Sequence, residues 1–155
     1  MAQEPLTGEQ QAIYEFLDAW RCGEELGGEF FQVLVDTTSE PGLRQGFQMI
    51  CDREWAHANG LKTRLLELKR MPQQQPTRDE TRQRRLEIAK SNLPARSKLK
   101  QLYDEGDLQR IDKVLADFSA RAEAIKHDLV TKYMLTAMIA EEYASMRWIK
   151  ETLGG

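Results

Sequence analysis

The sequence predicts an all-α fold, a four-helix bundle with one long crossover in its middle. Three observations carry this. Apolar residues recur at steps of three and four through four long stretches, as on one face of a helix. Glycine and proline together number 15 in 155 residues, so breaks are few and elements long. A polar stretch holding Pro72 and Pro76 separates the first two helical stretches from the last two.

The first helix is predicted over 8–37. Thr7 followed by Gln10 has the form of a capping box, in which each side chain satisfies a free amide of the first turn. Ile13, Leu17, Trp20, Glu24, Gly27, Phe31 and Leu34 then share one face. TTSEPG interrupts the pattern, and Pro41 suits the first turn of a new helix, where its missing N–H costs nothing. The second helix is predicted over 41–69, with Leu43, Phe47, Ile50, Glu54, His57, Leu61, Leu65 and Leu68 inward. The short turn makes the two helices antiparallel neighbours, each about 44 Å long.

The crossover spans 70–107, with short helical pieces near 78–90 and 95–104. It reads as a solvated basic surface: from Arg70 to Lys100 there are nine Lys or Arg and three Asp or Glu. No aromatic interleaving accompanies those charges, so nucleic acid is not an expected partner. Gly106-Asp107 opens the third helix, 108–127, with Leu108, Ile111, Leu115, Phe118, Ala122 and Ile125 inward. A tight turn at His127-Asp128 precedes the fourth helix, 129–153, which points Leu135, Met138, Glu142, Ser145, Ile149 and Leu153 inward. An unbroken helix through that point is the competing reading.

No apolar run is long enough to span a membrane, and the first residues lack the pattern of a signal peptide. The expected location is therefore cytoplasmic. Cys22 and Cys51 lie off the inner faces and about 9 Å apart along the axes, so a disulfide is not expected. Met134, Met138 and Met146 read as core filler, and His127 as a residue favoured near a helix C-terminus.

Chemistry concentrates in the middle of the apolar stripes. Glu54 and His57 form Glu-x-x-His, which puts both side chains one turn apart on one helix face. With the first turn centred between residues 39 and 40, Glu24 lies level with Glu54. Gly27 and Gly28, one turn on, leave room for close approach or a small ligand. Glu142 supplies a third inward carboxylate, whereas Glu25, Glu29 and Glu141 point to the periphery. On the third helix Leu115 and Phe118 hold the matching height, and Asp112, Asp117 and Glu123 point away. An unpaired carboxylate in such a stripe is costly, so these residues either bind a metal or form a buried hydrogen-bonded set.

LDAWRCGEELGGEFF, ICDREWAHANGLKTRLLEL and IAEEYASMRWIKETL resemble the first, second and fourth helices of ferritin-like, rubrerythrin-related proteins. The resemblance covers about half the chain. The family's di-metal site takes a Glu from each of two helices and a Glu-x-x-His from each of the other two. It implies Glu24, Glu54 and His57 as one half-site and Glu142 as the fourth helix's glutamate. Ser145 stands where that helix's histidine would be, and the third-helix glutamate is absent. The implied centre is one Fe, Mn or Zn ion per chain, in metal-dependent redox or oxygen and peroxide handling. The alternative is a non-catalytic helical scaffold without metal. It would act through an interface as a homodimer, with Trp55 and Trp148 against the partner or packed within the monomer.

Overall fold

The structure is a computed structural model and describes residues 4–154. Six helices follow in order: α1 (Gly8–Thr37), α2 (Pro41–Glu67), α3 (Glu80–Lys90), α4 (Ala95–Leu102), α5 (Glu105–Glu123) and α6 (Leu129–Gly154). Among the described residues there is no strand, and no helix is long and apolar enough to cross a membrane.

Local chemistry sets most boundaries. Thr7 and Gln10 complete the capping box of α1, and Pro41 begins α2. That helix ends two residues before its expected limit, because Lys69 takes a positive φ of 59° and turns the chain. Leu68 nevertheless packs on the core. The expected start of α5 at 108 is three residues late: Asp104 and Asp107 form a reciprocal cap, so Gly106 lies inside the first turn. Its expected end at 127 is also late, since α5 stops at Glu123 and Ala124 caps it. The Asp128 carboxylate accepts the amide of Thr131 at 3.0 Å, so α5 and α6 are separate helices.

The α1–α2 pair forms one long hairpin, and α2 runs antiparallel to α6, with Arg64 bound to Asp128 at one end and Gly46 against the Trp148 ring at the other. The core falls into two clusters. One gathers Phe31, Leu34, Phe47, Ile50, Leu99, Leu115 and Ile149. The second gathers Ile13, Leu17, Trp20, Leu61, Leu65, Leu135 and Met138. On α1, α2 and α6 alike, the stretch between these clusters is where Glu24, Glu54, His57 and Glu142 stand. A polar layer thus divides the apolar interior at one height.

The crossover keeps most of its basic side chains on the surface, as expected, but its other side is closed against the core. Leu86, Ala89, Leu99 and Leu102 are buried. Lys98 is buried as well and donates to the Ala89 carbonyl at 2.7 Å and to Thr37 Oγ1 at 2.9 Å, joining α3 and α4 to the end of α1. At the other end the buried Asp18 accepts the amides of Gln73 and Gln74, both at 2.9 Å, and pairs with Arg21. Arg21 in turn donates to the Gln74 carbonyl. This cover also explains why Cys22, expected off the inner face, is buried, whereas Cys51 is buried against α1, its thiol 3.4 Å from the Gly28 carbonyl; both are free thiols.

Asp18→Ala leaves the Gln73 and Gln74 amides without their acceptor and takes one of several acceptors from the Arg21 guanidinium. We expect a loss of about 3 kcal/mol in unfolding free energy at neutral pH, by denaturant titration. Burial raises the Asp18 pKa, but the Gln74 and Gln73 amides and Arg21 lower it more, so it lies below the ordinary value. Its contribution is therefore full above the unfolded carboxylate pKa of about 3.9 and fades as pH falls through the folded one. The gap between wild type and variant should close below about pH 4. A gap unchanged at pH 2 would show that the carboxylate's charge is not what holds the crossover.

Candidate metal centre

Three helices build the centre because each carries a polar residue at the level where its apolar stripe is interrupted. Glu24 comes from α1, Glu54 and His57 from successive turns of α2, and Glu142 from α6. His57 Nδ1 lies 2.8 Å from Glu142 Oε1 and 3.3 Å from Glu24 Oε2. One ligand atom from each of Glu24, His57 and Glu142 falls within 4.8 Å of the others. Glu24 and His57 are buried, and Glu142 is largely so.

Glu54 belongs to the same layer in a different way. It is half-buried, and its carboxyl lies over Gly27, in the space that a β-carbon there would fill. The room left by Gly27 is thus used by a candidate ligand. The neighbouring space at Gly28 is taken by the Trp55 indole. Trp148 packs edge-on against Phe47, with ring centroids 5.6 Å apart, so its role is interhelical packing.

The electrostatics follow from burying several carboxylates together. Burial, then the charges of Glu24 and Glu142, hold Glu54 well above the usual carboxylate range. Burial raises Glu24 too, more than the His57 contact lowers it. For His57, burial disfavours the charge, but the bond to Glu142 and the nearby Glu24 carboxylate outweigh it and push the pKa up to about 10. Without metal the layer therefore retains protons at neutral pH, and an imidazolium offsets part of its negative charge.

Among the described residues, two buried side-chain atoms have no hydrogen-bond partner, Glu24 Oε2 and His57 Nε2. The indole N–H of Trp20 donates to the other oxygen of Glu24 and fixes that carboxylate's orientation. Oε2 is left facing the imidazole. Buried polar atoms are seldom left unpaired, and a cation among Glu24, His57 and Glu142 would use the Glu24 oxygen. The donor set, carboxylates with one imidazole, suits a hard or borderline divalent ion.

The periphery differs in one respect from expectation. Glu25 pairs with Arg21 and Glu29 with Arg78, as outward residues do. Glu141 is half-exposed, yet its Oε1 comes within 3.6 Å of His57 Nε2. Ser145 is buried, and its hydroxyl accepts from Arg53 at 3.0 Å. Leu115 is part of the core, and Phe118 packs on Phe16 and Trp20, both at 4.9 Å between centroids. Sequence reasoning missed Trp20 as a polar partner of Glu24. The signal was there, since the two are four residues apart on one face.

No family model, curated protein or solved structure matches this chain.

Proposed function

We propose that this chain is a ferritin-like protein that binds one Fe, Mn or Zn ion through Glu24, His57 and Glu142, with Glu54 beside them. The observation that supports it most is the buried Glu24 Oε2, which accepts no hydrogen bond and is turned toward the imidazole and the Glu142 carboxylate. When bound, such an ion supplies Lewis acidity or, for Fe and Mn, a redox step. The resemblance to rubrerythrin-related proteins directs that chemistry to oxygen or peroxide. The chain's own residues hold the ion, orient one carboxylate through the Trp20 indole, and enclose the centre between two apolar clusters.

The chain offers ligands for one ion. A second position of the family type would need donors where this chain has Leu115 or Phe118 and Ser145. The Ser145 hydroxyl is engaged by a guanidinium, which a neighbouring cation would repel. Elemental analysis after reconstitution with Fe, Mn or Zn should give at most one equivalent per chain. Two equivalents would overturn this ligand set, with Glu141 the first omission to examine. Because metal ligands must shed their protons, binding should also tighten and release protons as pH rises from 6 to 8.

A second reading, a metal-free scaffold that acts as a homodimer, is favoured by one observation. His57 already sits between the two carboxylates, 2.8 Å from Glu142 and 3.3 Å from Glu24, where a protonated ring offsets their charge without metal. No stoichiometric binding of Fe, Mn or Zn would select it.

A further inference from the structure

A cavity of about 260 Å³ opens beside the polar layer, with Glu54, Glu142 and Ser145 at its floor. Its walls are apolar and come from several helices: Leu26 and Phe30 of α1, Ile111 of α5, Met146 and Ile149 of α6. Its rim is basic and comes from the crossover: Arg78, Arg82 and Arg85.

The three arginines are not equivalent. Arg78 is paired with Glu29. Arg85 donates to the Leu102 carbonyl and stacks over Phe30 and Tyr103, at 5.3 and 4.9 Å from the ring centroids. The Arg82 guanidinium lies over Gly23, on the turn of α1 that precedes Glu24, within reach of the cavity mouth. Among the described residues it has no hydrogen-bond acceptor or carboxylate partner.

We propose that this cavity binds a small organic anion with an apolar body, its carboxylate on Arg82 and its hydrocarbon end directed toward Glu54 and Glu142. The geometry sets the orientation. A negative head finds an unpaired guanidinium only at the rim, on Arg82, whereas the walls offer only apolar contact. Inorganic phosphate gains nothing from such walls. The volume sets the size. A dry cavity of about 150 Å³ accommodates benzene, so this one accommodates about ten non-hydrogen atoms. Octanoate has that size and that polarity. The site goes beyond the metal reading and shares only its floor with it.

The test is calorimetric titration of the full chain with sodium octanoate, once metal-free and once with Zn added. The expected result is one saturable site per chain in both forms. Arg82→Glu, on an exposed residue, should weaken octanoate by roughly tenfold or more, and Arg82→Lys should restore most of the affinity. Ile111→Trp should fill the cavity and weaken octanoate and octan-1-ol alike. The proposal is overturned by no saturable binding to either form, by equal affinity in Arg82→Glu, or by octan-1-ol or octylamine binding as tightly as octanoate. Octanoate binding in a protein that takes up no metal would defeat the metal reading and leave this one standing. Stoichiometric metal without octanoate binding would do the reverse.

Discussion

His57→Ala should abolish tight metal binding, with a loss of affinity of about 100-fold or more. The imidazole is the single nitrogen donor of the set, and its Nδ1 is the atom on which Glu24 and Glu142 converge. Removing it leaves carboxylates that burial already drives toward their neutral forms, and protonated carboxyls are poor ligands. A competition titration against a chelating dye measures the loss. Circular dichroism checks that the helices survive, as they should, because His57 lies in the polar layer and belongs to neither apolar cluster. Unchanged affinity in a folded variant would place the ion elsewhere, on surface carboxylates.

Phe47→Ala should destabilise the fold by about 4 kcal/mol. Phe47 is fully buried on α2 and touches Phe31 on α1 and Trp148 on α6, so it joins three helices. Domain stabilities run from about 5 to 15 kcal/mol, so this single change removes a large share. The measurement is the shift of a urea or guanidinium midpoint. Tyr133→Ala, at a residue 64% exposed, is the comparison and should lie within about 0.5 kcal/mol of wild type. Equal losses in the two variants would contradict the assignment of the first apolar cluster as the stabilising core.

The α1–α2 hairpin and its register were legible because their determinants are local. A capping box, a proline and a three-residue turn define both ends, and two carboxylates equidistant from the turn are then level. Glu142 was legible for a related reason: it interrupts an apolar stripe, as Glu24, Glu54 and His57 do. The crossover's two short helices were legible, but not how it is anchored. Its anchors pair Asp18 with backbone amides 55 and 56 residues away and Lys98 with a carbonyl and a threonine. Backbone partners leave no mark in a sequence. The same gap hid the burial of Cys22. A stripe count assumes one covered face, whereas α1 is covered by α2 on one side and by α3 and the residue 73–74 strap on another. Gly106 misled in the opposite sense, since a glycine within the first turn of α5 looked like a break before it.

The contact between His57 and Glu142 spans 85 residues of chain. Glu24, Glu54 and His57 sit on the first hairpin, whose closure needs only a short loop, whereas Glu142 comes from α6, beyond the crossover and α5. A chain stopped before α6 would thus carry three of the four polar residues and no complete centre. The polar layer is in that sense the least local feature of the fold: its four residues meet only once α6 has docked on the α1–α2 hairpin.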